Sequence, residues 1–103
     1  MLTVGKILKS QREKKNLKIE NIEKDMRVRA KFLNALENDD WTLFSSKIYI
    51  GGLIKNYSKY LNLDHNKILA FFRRQYEKKE EDSFKKNLSA KYLTPQTRKV
   101  LFF

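Results

Sequence analysis

Apolar residues recur at helical spacing along most of this chain, and that periodicity constrains the fold more than any other feature. Between Val4 and Leu69 they form five short runs whose members lie three, four or seven positions apart, so each run marks one face of a helix. The clearest run comprises Ile50, Leu53, Ile54, Tyr57 and Leu61. With three glycines and one proline in 103 residues, signals for strands and hairpins are scarce. The sequence therefore predicts an all-α fold.

The five runs predict helices at about residues 3–15, 19–24, 27–37, 47–61 and 65–79. Beyond Glu80 the periodicity is lost, and the chain ends on Arg98, Lys99 and four apolar residues. We therefore expect a compact helical domain over residues 1–79 and a basic tail over residues 80–103. The apolar end either opens a membrane span or docks on the domain. No stretch approaches the ~20 apolar residues of a complete span, so a transmembrane segment would be absent from this chain.

Two adjacent glycines, Gly51 and Gly52, lie inside the fourth predicted helix. Each glycine costs roughly 1 kcal/mol relative to alanine in a helix interior. Such a cost indicates that another backbone passes close to this point. We expect the pair to pack against the first or the fifth helix.

The net charge of +11 is spread along the chain and is not concentrated in one arm. It attracts a polyanion or an acidic protein surface, although a solvated, lysine-rich surface has the same composition. The absence of cysteine rules out thiolate metal sites, and His65 alone provides no cluster of ligands for zinc. The acidic residues between Glu77 and Asp82 form an exposed run without a pair suited to acid–base catalysis. We expect no metal, no cofactor and no enzymatic activity.

The second and third predicted helices are close enough in sequence to form a helix-turn-helix, whose second helix typically reads the major groove of DNA. Arginine can read guanine, asparagine can read adenine, and a nearby lysine can contact a phosphate. The residues that we expect to face outward here are Lys18, Arg27, Arg29, Lys31 and Asn34. Solvated charges on an ordinary surface helix are the alternative interpretation. The DNA hypothesis is weakened because the third helix begins without the Gln, Ser or Thr that many phage-repressor-like domains use.

Four segments of the chain carry a resemblance to one known family. They are VGKILK at 4–9, REKKNL at 12–17, RVRAKFLNALE at 27–37 and IYIGGLIKNYSKYL at 48–61. Together they resemble the cytoplasmic domain of the RodZ family, whose members are bacterial membrane proteins within the repressor-like helix-turn-helix superfamily. The most specific part is the fourth helix, where a glycine is followed by Lys-x-Tyr-x-x-Tyr-Leu.

The resemblance implies a compact five-helix, repressor-like domain that acts as a cell-shape adaptor. RodZ-like proteins join filaments of the actin-like protein MreB to the membrane through one transmembrane helix, with this domain in the cytoplasm at the inner face of the membrane. In that family, aromatic residues near the start of the fourth helix contact the filament. The matching positions here are Tyr49 and Leu53, and Leu53 replaces an aromatic residue. Lys47, Lys55 and Lys59 would add charge complementarity to an acidic partner surface.

The resemblance also implies a structural ion pair between the first and third helices. Repressor-type domains pair an arginine late in the first helix with a glutamate that closes the third, and both are partly buried. The matching residues are Arg12 and Glu37. Loss of one partner would leave the other charge buried and unpaired, so breaking the pair costs more than removing both members.

Overall fold

The computed structural model describes residues 2–87, which form five α-helices and no strand. The helices are α1 (Val4–Lys14), α2 (Ile19–Met26), α3 (Ala30–Glu37), α4 (Lys47–Tyr60) and α5 (His65–Asn87). The predicted all-α, five-helix fold is confirmed. The chain divides into two units, Met1–Arg73 and Arg74–Phe103, and α5 contributes residues to both. Most of the predicted basic tail, including its apolar end, lies outside the described residues.

The connection between α2 and α3 differs from the prediction that the third helix begins at residue 27. Arg27 has a left-handed backbone, with φ 56° and ψ 41°, and Arg29 is extended, with φ −63° and ψ 141°. A left-handed residue cannot continue a right-handed helix. Both arginines therefore lie in the turn, and α3 begins at Ala30. The spacing between Val28 and Phe32 is helical in the sequence, but the helix begins between them, at Ala30.

Two of the helices begin at a residue whose side-chain hydroxyl caps the helix. The Thr3 hydroxyl accepts a hydrogen bond from the backbone N–H of Lys6 at 3.2 Å, and the Ser46 hydroxyl accepts one from Tyr49 at 3.1 Å. Lys18, a residue type that caps poorly, provides no side-chain hydrogen bond to α2. These caps fix where α1 and α4 begin.

Three of the helices end in the same way, with a single left-handed residue after the last turn. The N–H of the following residue then donates to a carbonyl five positions back, at 2.8 to 3.1 Å. This is the Schellman arrangement, which satisfies carbonyls that the helix end leaves free. Asparagine and aspartate tolerate left-handed backbone better than most residue types, which suits them to these positions. The left-handed residues are Asn16, Asp39 and Asn62.

The apolar core of the unit Met1–Arg73 receives side chains from all five helices. The predicted stripe on α4 is confirmed, because each of its five members is at most 6% exposed. α3 packs against both α1 and α2, which holds the helix-turn-helix in place. The Trp41 ring meets Phe72 edge-on, with centroids 5.3 Å apart. Other buried core residues are Val4, Leu8, Ile22, Leu33, Leu36 and Ile68.

α5 continues to Asn87, beyond the predicted end at residue 79. Residues 77–82 are exposed, so this part of the helix has no apolar face that the sequence pattern reveals. Glu81 Oε1 and Lys85 Nζ lie 2.9 Å apart, an i, i+4 pair that favours a solvated helix. No helix within residues 2–87 combines the length and the hydropathy needed to cross a membrane.

The expected close packing at Gly51 and Gly52 is wrong. A Cβ atom built at either position meets no other atom within 4 Å. The close approach occurs at Gly5 in α1, where a Cβ atom would lie 2.5 Å from the carbonyl oxygen of Glu37. Asp39 strengthens this contact, because its carboxylate accepts hydrogen bonds from the Gly5 N–H at 2.9 Å and the Thr3 hydroxyl at 2.5 Å.

Candidate functional site

Three aromatic rings meet at the surface where α4 begins. We call Phe32, Phe44 and Tyr49 the aromatic cluster; its members come from α3, the α3–α4 connector and α4. Ring centroids lie 5.5 Å apart for Phe32 and Phe44, 5.9 Å for Phe44 and Tyr49, and 6.4 Å for Phe32 and Tyr49. Tyr49 is 47% exposed, and the two phenylalanines are half-buried. The neighbouring rings restrain Tyr49 while leaving part of its surface open to a partner.

Further apolar and cationic groups accompany the aromatic cluster. Ile48 is 88% exposed and Leu43 is 50% exposed, although both are large aliphatic residues. Lys31 Nζ lies 5.1 Å from the centroid of the Phe32 ring, which is cation–π geometry. Exposed aromatic and aliphatic side chains beside lysines are typical of a protein-binding surface, since rigid aromatic anchors provide much of the energy of such contacts.

The residues expected to contact a filament are divided between surface and core. Tyr49, Lys55 and Lys59 are exposed, and Lys47 is half-buried. Leu53 is only 6% exposed and belongs to the core stripe of α4. An aliphatic residue at this position packs inward with Ile50 and Ile54, so the Leu53 side chain is not available to a partner in this fold.

The residues expected to read DNA are all exposed, but they do not all lie on the third helix. Lys31 and Asn34 project from α3, whereas Arg27 and Arg29 lie in the turn before it and Lys18 precedes α2. The motif thus presents its positive charge largely ahead of α3.

A carboxylate occupies the N-terminus of α3. The backbone N–H of Ala30 donates a hydrogen bond to Glu23 Oε2 at 2.7 Å. Glu23 lies on α2, so it satisfies an amide that the helix start leaves free and it complements the positive end of the helix dipole. The N-terminal end of the second helix is the part that meets base edges in DNA-binding motifs of this type. Glu23 adds negative charge there, which opposes the approach of phosphates.

The predicted ion pair between Arg12 and Glu37 is present in the structure. Arg12 Nε donates to Glu37 Oε2 at 2.8 Å and Arg12 Nη2 donates to Oε1 at 3.1 Å, a two-point contact. Arg12 Nη1 also donates to the Leu17 carbonyl at 3.0 Å. These hydrogen bonds with Glu37 raise the pKa of the Arg12 guanidinium.

Tyr57 is a third member of this group that the sequence interpretation placed only in the core. Its hydroxyl donates to Glu37 Oε2 at 2.5 Å. Burial and this hydrogen bond raise the pKa of Tyr57. The three side chains connect α1, α3 and α4, so their role is architectural. The sequence signal for this contact is the tyrosine within an otherwise aliphatic stripe, because a buried tyrosine hydroxyl usually has a hydrogen-bond partner.

Among residues 2–87, no group of three or more His, Asp or Glu side chains is arranged to hold a metal ion. Arg12, Glu37 and Tyr57 support the fold, and Glu23 caps α3. The surface around the start of α4 is therefore the strongest candidate for function, and its chemistry suits binding.

Comparisons with known proteins agree with the fold. Residues 7–68 match a family model described as a helix-turn-helix domain. A similar curated protein is an uncharacterized protein of Haemophilus influenzae, 33% identical over 64 residues. The matched region is 61% of this chain and 21% of the relative, so the chain spans about a fifth of that protein's length. No solved structure matches the chain.

Proposed function

Because the chain belongs to the helix-turn-helix domain family, we propose that it uses this fold to bind a protein filament, as the cytoplasmic adaptor domain of a RodZ-like cell-shape protein. The partner is an MreB-like actin homologue. A transmembrane segment elsewhere in the parent protein links the filament to the inner face of the cell membrane. The segments that resemble the RodZ family motivate this choice of partner.

The observation that carries the proposal is the exposed ring of Tyr49 at the start of α4. Phe32 and Phe44 both pack against the ring and restrain it, so little conformational entropy is lost when a partner covers it. Its exposed part and its hydroxyl remain available to an interface. Lys55 and Lys59 on the same helix favour a partner with an acidic surface. Leu53 is buried and is not part of the proposed surface.

The carboxylate of Glu23 favours a protein partner over DNA. In a DNA-reading motif, the start of the second helix approaches a polyanion. Here that position already holds an anion at 2.7 Å from the Ala30 amide. A protein filament that binds α4 does not have to approach the Glu23 carboxylate, which lies at the start of α3.

Cosedimentation with polymerised MreB, run beside a duplex DNA titration, tests the proposal. We expect the 103-residue chain to pellet with the filaments at moderate salt, because apolar contacts are not screened. Any DNA binding should weaken steeply as salt rises, since it depends on counterion release. DNA binding that persists at moderate salt, together with no filament binding, would contradict the proposal.

DNA binding remains the second candidate, because Arg27, Arg29, Lys31 and Asn34 are all exposed around the turn and α3. If this surface reads DNA, replacing Arg27, Arg29 and Lys31 with alanine should abolish duplex binding. It should also lower the salt slope by roughly one for every phosphate that the variant no longer neutralises. Under the filament proposal the same triple variant keeps most of its binding to MreB.

A further inference from the structure

The turn between α2 and α3 carries two arginines whose side chains have no partner in the fold. Arg27 and Arg29 are both exposed, and no hydrogen bond or ion pair within residues 2–87 involves their guanidinium groups. We call these two residues the arginine turn. The exposed Lys24 adds a third positive charge shortly before it. Packing of the domain therefore does not explain why basic side chains stand at these positions.

Arg27 is also an unusual residue type for its backbone conformation. In the part of the chain that the structure describes, the other non-glycine residues with positive φ are Asn16, Asp39 and Asn62. Asparagine and aspartate visit the left-handed region far more readily than arginine does. An asparagine at position 27 would therefore suit the turn better. A residue type that is unfavourable for its backbone and has no partner within the fold indicates a role for its side chain outside the fold.

The carboxylates that are nearest to the arginine turn in the sequence are bound to other groups. Glu23 Oε2 accepts a hydrogen bond from the Ala30 N–H at 2.7 Å, and Asp25 Oδ2 accepts one from the Tyr60 hydroxyl at 2.6 Å. The two guanidinium groups are thus open to a partner. A guanidinium is planar and always charged, and it makes paired hydrogen bonds to phosphate oxygens. The chemistry of the turn therefore fits a partner that displays phosphate groups.

We propose that the arginine turn binds the phosphate groups of an anionic phospholipid membrane. A lipid surface is flat, so both guanidinium groups reach it without the start of α3 entering a groove, where the Glu23 carboxylate would oppose phosphates. The choice of lipid over other polyanions rests on the proposed function, which places this domain at a membrane. The arginine turn shares no residue with the aromatic cluster or with the lysines of α4, so separate variants test the two contacts.

Flotation of the 103-residue chain with lipid vesicles tests the proposal. Arg27→Asn combined with Arg29→Gln removes two charges, and the melting temperature should not fall, because asparagine suits left-handed backbone. This variant should bind vesicles of phosphatidylglycerol and phosphatidylcholine roughly twenty-fold more weakly than the wild-type chain, since each basic residue at an anionic surface contributes about fivefold. Vesicles of phosphatidylcholine alone should bind neither chain.

Lys55→Gln combined with Lys59→Gln is the matched control, because it removes two exposed positive charges from another part of the domain. We expect this variant to bind the anionic vesicles within about twofold of the wild-type chain, since charges farther than a Debye length from the lipid are screened. Cosedimentation with polymerised MreB should show the reverse pattern. The lysine variant should lose affinity for the filament, and the arginine variant should keep most of it.

Equal losses of vesicle binding in the two double variants would mean that the lipid responds to net charge alone, and this result would overturn the proposal. Wild-type binding to duplex DNA at a salt concentration where the anionic vesicles are no longer bound would overturn it as well. If the wild-type chain does not pellet with MreB while only the arginine variant loses vesicle binding, the proposed function fails and the lipid contact stands.

Discussion

Glu37 is a carboxylate that is only 5% exposed, and hydrogen-bond donors from two other helices surround it. Arg12 supplies the charge and Tyr57 supplies a neutral hydroxyl. A buried charge of this kind contributes little net stability when paired, yet it destabilises strongly when its partner is removed. Substitutions in this group therefore report on the packing of α1, α3 and α4.

Arg12→Ala should lower the free energy of unfolding by about 3 kcal/mol, because it leaves the buried Glu37 side chain without its ion-pair partner. The Arg12 side chain is 16% exposed, so the loss of stability should lie toward the lower end of the range for buried ion pairs. Thermal unfolding measures it. Lys85→Ala breaks the exposed pair with Glu81 and should leave the melting temperature unchanged. Equal melting temperatures for both variants would mean that Arg12 and Glu37 are solvated in solution.

Tyr57 gives the fold a pH dependence with a defined sign. Burial and the hydrogen bond to Glu37 raise its pKa above the ordinary value of 10.0, so the folded state favours the neutral hydroxyl. The resulting stability is complete below the unfolded pKa and is lost as pH rises through the folded pKa. The difference in unfolding free energy between the wild-type chain and Tyr57→Phe should be constant below about pH 9. Above about pH 10 the wild-type chain should lose stability relative to the variant. Urea unfolding at each pH measures it, and a constant difference up to about pH 11 would contradict the buried placement.

At the scale of helices, replacing a glycine with alanine should have opposite effects on stability in α1 and in α4. Gly5→Ala places a Cβ atom 2.5 Å from the Glu37 carbonyl, and backbone atoms of α3 would have to move. We expect a loss of roughly 1–3 kcal/mol, as for other overpacked sites. Gly51→Ala meets open space and should raise stability by up to about 1 kcal/mol. Denaturant unfolding of both variants tests the contact between α1 and α3, and a neutral Gly5→Ala would contradict it.

The cap on α3 predicts how the helix-turn-helix responds to nucleic acid. Glu23→Gln retains a side-chain acceptor for the Ala30 amide and removes the negative charge. We expect non-specific duplex affinity at low salt to rise several-fold. Glu20→Gln removes one charge from an exposed position on the same helix and should have a smaller effect. Fluorescence anisotropy measures both. Identical gains would mean that the position of the carboxylate does not matter.

Most of the helical architecture was predictable because burial imposes a period on the sequence. The stripe on α4 follows from apolar residues at helical spacing, and the left-handed backbone of Asn16 suits its residue type. The start of α3 was not predictable, because left-handed backbone at Arg27 has no signal in its residue type. The end of α5 was missed because a solvated helix needs no apolar face.

The candidate site was predictable only in part. Tyr49 directly precedes the inward stripe, which is why its exposure follows from helical spacing. Its contacts with Phe32 and Phe44 depend on how α3 and the connector return to α4. The same holds for Gly5 and for Glu23, whose partners come from other helices. A glycine that is tightly packed and a glycine that is open look identical in a sequence.

For the whole molecule, a net charge of +11 means that weak attraction to any polyanion is expected. Binding at low salt therefore does not identify the partner. A specific contact is distinguished by its dependence on one neutral side chain, since truncating that side chain changes no charge. Tyr49 meets this requirement.

The central claim is tested most directly by cosedimentation of Tyr49→Ala with polymerised MreB at moderate salt. Because the ring is 47% exposed, the variant should keep its helical spectrum and nearly the same melting temperature. An aromatic anchor contributes about 2 kcal/mol or more, so Kd should rise on the order of thirty-fold. Phe84→Ala removes another exposed ring, 63% exposed on α5, and should bind normally. A folded Tyr49→Ala variant that pellets with the filaments as the wild-type chain does would contradict the proposed function of this surface.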